Sequence, residues 1–92
     1  MNTLLIGYDL DKPAQNYDNL IAEIKDISDF YWHHLDSTWL VKTNETPVSV
    51  RDKLAKHINI NYDKLLVMNI TGAAAAWVGF TEQGGKWLSS NL

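Results

Sequence analysis

Asp9 ends an apolar run, Leu4-Leu5-Ile6-Gly7-Tyr8-Asp9, and is followed by Asp11, Lys12 and Pro13. A carboxylate at the end of a strand has two uses. It can ligate a hard cation such as Mg²⁺ or Mn²⁺, which takes oxygen ligands, and two copies across a two-fold axis would hold the ion and activate water. Such a pair would share protons, since like charges at close range raise one of the two pKa values. Alternatively, Asp9 caps the turn that follows, a position Asp favours. Asp11 reads as solvated turn chemistry.

His33 and His34 are the next residues with chemistry to offer. Neighbouring strand residues point to opposite faces, so the pair cannot ligate one metal within a subunit. One of them can carry a proton or donate to a phosphate if it faces a cleft. The same stretch holds Tyr31, Trp32 and Trp39, and nucleobases stack on such rings for roughly 1–3 kcal/mol each. The competing role for these rings is core or dimer packing. Tyr8, Asp9, Lys12, His34, Ser37 and Trp39 are therefore the candidate ligand-binding residues, with Asp9 the candidate catalytic acid and metal ligand. His57, near the end of a predicted helix, suits the negative end of the helix dipole and is given no other role.

The elements that must position these residues follow from periodicity. Residues 3–9 read as a strand. Tyr17, Leu20, Ile21, Ile24 and Ile27 recur at helical spacing over 16–27, with Asn16 as cap. The stretch 30–43 is rich in aromatic and β-branched residues and breaks at Asp36-Ser37, which predicts a hairpin of strands 30–35 and 38–43. Thr46-Pro47 opens a second helix over 47–58 with Val50, Leu54 and Ile58 facing inward. Residues 64–70 form a fourth strand. The order β-α-β-β-α-β is the ferredoxin-like pattern: an α+β fold with a four-stranded antiparallel sheet and two helices on one face. The predicted core is Leu4, Ile6, Ile21, Ile24, Leu40, Leu54, Leu66 and Met68.

Residues 71–92 form a C-terminal extension to the 3–70 core of a single domain. Ala73–Ala76 can make a helical turn, Trp77–Phe80 a short edge strand, and 81–92 a closing helix weakened by Gly84-Gly85 at about 1 kcal/mol each. Trp77, Val78 and Phe80 are the candidate dimer-interface residues, with Trp77 as an anchor for a partner's pocket.

Composition bounds the function. The 92 residues carry a formal charge of −3, from eight Lys and Arg against eleven Asp and Glu. The basic residues are scattered, which counts against tight binding of long DNA or RNA and leaves room for a small anionic ligand. There is no cysteine, so disulfides and thiolate metal sites are excluded. No apolar stretch approaches the roughly 20 residues that span a bilayer, and the N-terminus lacks a signal-peptide pattern, which predicts a cytoplasmic protein without membrane contact. Four Trp, four Tyr and two Phe exceed what one small core readily hides, which predicts a homodimer.

Three stretches resemble a known family. "LIGYDLDKP" is similar to the first strand of the small CRISPR-associated adaptation endonuclease, the dimeric partner of the CRISPR integrase. "HHLDSTWLVKT" looks like its second and third strands, and "LLVMNIT" with "AWVGF" like its fourth strand and C-terminal edge. The resemblance spans residues 3–80. It is closer still to short phage and plasmid proteins labelled SinR-like, through "LLIGYDL", "HHLDSTW" and "KWL". The VapD ribonuclease toxins belong to the same broad superfamily. The resemblance implies a homodimer in which Asp9 of each subunit faces its mate and can hold a divalent metal, with Ser37 near that cleft. The chain departs from the DNA-binding members in having only Lys12 and Lys25 as basic residues between positions 1 and 41.

Three functions are expected in consequence. One is a metal-dependent endonuclease with a dimer cleft at Asp9, cutting phosphodiester bonds. The second is a non-catalytic nucleotide-binding protein that sequesters a signal. The third is a protein-binding inhibitor of host defence, in which an acidic aromatic surface occupies a basic host site.

Overall fold

The apolar run that opens the chain becomes a central strand, β1 (Asn2–Asp9), in the computed structural model, which describes residues 1–11 and 17–92. The first helix, α1, spans Asp18–Ile27, and the aromatic stretch folds into a hairpin of β2 (Tyr31–Leu35) and β3 (Thr38–Thr43). Helix α2 (Pro47–Ala55), strand β4 (Lys64–Asn69) and helix α3 (Glu82–Asn91) complete the order. All strand pairs are antiparallel, in the order β2-β3-β1-β4. This is the ferredoxin-like arrangement, with a third helix added. Among the described residues, no helix is long and apolar enough to cross a membrane.

Alternation along β1 decides which residues meet the helices. Leu4 and Ile6 point to α1 and α2, opposite Val41 and Trp39 of β3, and with Leu20, Ile24, Val50 and Leu54 they form a fully buried core. Each such aliphatic side chain contributes roughly 1.5–3 kcal/mol by leaving water. Ile21 packs at the margin of this core. Helix α2 starts as its sequence dictates: the Thr46 hydroxyl accepts the Ser49 N–H at 3.1 Å, and Pro47 takes the first turn. It ends at Ala55, three residues early, although Ile58 still packs on the core. The expected cap of α1, Asn16, lies outside the described residues. Tyr17, which precedes the helix, makes no side-chain cap bond.

The core expectation fails at Leu66 and Met68, which are 54% and 46% exposed. The pairings Ile6–Val67 and Tyr8–Leu65 put Val67 and Leu65 on the helix side, and period two turns Leu66 and Met68 to the other face. Leu40 is buried, but on that second face, where it joins Trp32 and Leu88. A register shift in β2 between Trp32 and Leu35 sets Leu35 opposite Thr38. Leu35 thereby leaves the Tyr31 and His33 side, where plain alternation would put it.

The C-terminal extension returns to its own sheet. Residues 73–78 carry neither the helical turn nor the edge strand expected there. Helix α3 forms despite Gly84-Gly85, because Thr81 caps it by accepting the Gly84 N–H at 3.1 Å and because the glycines let it approach closely. The Gly84 carbonyl accepts Trp32 Nε1–H at 3.1 Å. A Cβ on Gly84 would lie 3.4 Å from the His34 ring, and one on Gly85 3.1 Å from Trp77 Nε1. At the far end of α3, Lys42 Nζ donates to the Asn91 carbonyl at 3.2 Å, a cation at a helix C-terminus. The Thr3 hydroxyl also donates to Asn91 O. Thus α3 covers the β2–β3 half of the second face and leaves the β4 half open.

Candidate functional site

Asp9 is the last residue of β1 and sits opposite Lys64, the first residue of β4. Alternation puts both on the second face, in line with Gly7 and Leu66. Together with Tyr8 and Leu65 they line a shallow hollow of about 250 Å³. Asp9 is exposed. Neither its carboxylate nor the Lys64 ammonium makes a hydrogen bond or ion pair among the described residues.

The turn beyond Asp9 is held by a different carboxylate. Asp63, 8% exposed, accepts the Asp11 N–H at 2.9 Å and the Tyr17 hydroxyl at 3.1 Å on Oδ1, and the Asn59 N–H at 2.8 Å on Oδ2. It ties the exit of β1 and the entry of α1 to the loop before β4. Asp63 was not among the sequence candidates. The signal available was its place in the polar stretch Asn59-Ile60-Asn61-Tyr62-Asp63, directly before a strand.

The other candidates divide between two faces and two edges. Tyr8 is on the helix face, and its hydroxyl accepts Trp39 Nε1–H at 3.1 Å. Trp39 is a core residue, 1% exposed, with the His33 ring stacked on it at 3.6 Å and Tyr31 tilted against it at 5.2 Å. Its indole is thus occupied by packing and by Tyr8. Ser37 sits opposite Tyr8 at the end of the hairpin: its carbonyl accepts the Tyr8 N–H at 3.0 Å, and its hydroxyl has no partner among the described residues. His34 is on β2, two strands from Asp9 with β3 between them. Its ring packs 5.1 Å from Trp32 and 6.2 Å from Phe80. Lys12 lies outside the described residues.

Phe80 meets Trp32 edge-on at 5.0 Å, inside the same chain. Trp77 leans on Gly85, and Val78 is 92% exposed. His57 reaches back to α1, with Nε2 3.3 Å from Glu23 Oε1.

Of the proposed ligand set, Tyr8 and Asp9 therefore line one hollow, joined by Lys64, which the strand register adds. Among the described residues, no cluster of three His, Cys, Asp or Glu side chains could hold a metal ion. No protein-family model matches the chain, and no curated protein matches it.

Proposed function

We propose that this protein works as a homodimer that binds a nucleotide or a short nucleic acid at a cleft built around two Asp9 carboxylates, through a divalent cation. The observation that carries the reading is the placement of Asp9: an exposed carboxylate without a polar partner among the described residues, on the same sheet face as the exposed Leu66 and Met68. Apolar side chains at the open half of a sheet favour burial against a second such surface. A two-fold apposition of these halves brings the strand ends together and gives a hard cation oxygen ligands from both chains. The ion supplies the positive charge that an acidic chain lacks for holding a phosphate. Lys64 lines the same hollow and is the donor to the phosphate oxygens.

The test combines mass and melting. Light scattering at micromolar concentration gives a dimer mass. Mn²⁺ with a nucleotide raises the melting temperature of the wild type and leaves Asp9→Asn unmoved. A monomer mass, or equal stabilisation of both proteins, overturns the reading. Labelled RNA and DNA incubated with Mn²⁺ separate a cleaving dimer from one that only binds: strand scission that is lost in Asp9→Asn makes the site catalytic.

A further inference from the structure

A second concavity lies on the same sheet face, away from Asp9, over β2 and β3. Its floor is Leu5, Leu40 and Trp32, one wall is Leu88 of α3, and the other is the strap of residues 75–78. It measures about 480 Å³, within the range of small-molecule sites. No lining side chain carries a charge. The Trp32 indole N–H is already used by the Gly84 carbonyl. The polar side-chain groups left over are the Thr38 hydroxyl and the Trp77 indole N–H, neither of which has a hydrogen-bond partner among the described residues.

The strap is shaped to leave this space. The chain bends at Gly72 and again at Gly79, with φ of +75° and +91°, where side-chain-bearing residues are disfavoured. Between the bends run four alanines, then Trp77 and Val78. Small side chains at 75 and 76 keep the wall from filling the hollow. The floor is rigid, because Trp32 and Leu40 belong to a buried cluster with Leu88.

We infer that this pocket is a binding site for an uncharged, largely apolar small molecule with one hydrogen-bonding group. A charged ligand would lose its hydration here and meet no oppositely charged side chain in the lining. An aromatic or hydrocarbon body loses only unfavourable contact with water, while its single polar group meets the Thr38 hydroxyl. The inference does not rest on the Asp9 reading, and the two sites use different halves of the face.

The probe is N-phenyl-1-naphthylamine, an uncharged naphthyl amine, titrated into the full chain with naphthyl emission as the readout. The expected result is saturable binding at one probe per chain. Ala76→Phe, which fills the pocket from an exposed segment, weakens it at least tenfold, and Ala22→Phe on the outer face of α1 leaves it unchanged. Thr38→Val weakens the amine by about three- to tenfold, the worth of one hydrogen bond, and spares 1-phenylnaphthalene, which has no N–H. Binding that does not saturate, or that Ala76→Phe leaves at wild-type strength, overturns the inference. So does a probe that lowers the mass of the species in solution, because a second copy of the chain would then be the occupant.

Discussion

The carboxylate of Asp63 accepts the backbone N–H of Asp11 at 2.9 Å, two residues beyond Asp9. This contact gives the turn an organiser other than the strand-end acid. Asp63 is buried and fixes three donors from three segments, whereas Asp9 is exposed and fixes none among the described residues. The two aspartates should therefore respond oppositely to the same substitution. Asp63→Asn puts an amide where N–H groups point and leaves at least one part-buried donor unmatched, at a cost of about 1 kcal/mol. Asp9→Asn in metal-free buffer should not lower the denaturant midpoint, and in the proposed dimer it should raise it by removing the repulsion between two carboxylates. Urea unfolding of both variants checks this, and equal losses would mean that Asp9 has a structural role.

The two faces of β4 make a second prediction. Val67 and Leu65 pack on the helix-side core, whereas Leu66 and Met68 do not. Val67→Ala should cost stability at every protein concentration, by roughly 1 kcal/mol for a partly buried site. Leu66→Asp should leave the subunit folded by circular dichroism. In the proposed dimer it introduces charge on the apolar half-face and should convert the dimer mass to a monomer mass. Gel filtration with light scattering reads the difference.

How far the sequence reveals this arrangement depends on the kind of signal. Local signals carry well: Thr46-Pro47 marks the start of α2, and the aromatic stretch broken at Asp36-Ser37 marks the hairpin. Face assignment in β4 does not carry, because Lys64-Leu65-Leu66-Val67-Met68 is apolar at four successive positions and its alternation has no polar half to orient it. The bulge that moves Leu35 has no Gly or Pro to announce it. Trp39 looks like a stacking residue by type, and only the sheet register shows that it lies under the helices. Asp9 is legible because it ends an apolar run. Lys64 and Asp63 become visible only through pairing and loop contacts between residues more than 50 positions apart.

Glu45 offers a pH-dependent contact. Lys53 hydrogen-bonds its carboxylate at 2.7 Å, and the Ser49 hydroxyl donates to it at 2.8 Å. The Lys53 bond, with help from Ser49, holds the Glu45 pKa below the usual carboxylate range. A carboxylate whose folded pKa is depressed adds stability above its unfolded pKa and loses it as the pH falls through the folded value. Glu45→Gln should therefore be less stable than wild type near pH 7 and converge with it in acid. The gap should stay below about 1 kcal/mol, because the pair is open to solvent, and it should shrink in high salt. Melting curves from pH 2 to pH 7 test the sign, and a gap that widens in acid refutes it.

The last prediction concerns the third helix. Its docking rests on Thr81, which caps the first turn, on the Trp32 N–H to Gly84 carbonyl bond, and on Leu88 in the apolar cluster. Thr81→Ala removes the cap and should cost about 1 kcal/mol. The loss should be local. Helix α3 is the terminal element and contributes nothing to the main core between the sheet, α1 and α2. Amide hydrogen exchange in Thr81→Ala should accelerate across α3, while the N–H groups of β1 and β3 keep their protection. Trp32, 3% exposed under α3, should become more accessible to acrylamide quenching as the helix opens. Uniform acceleration across the sheet would instead show that α3 and the core unfold as one cooperative unit.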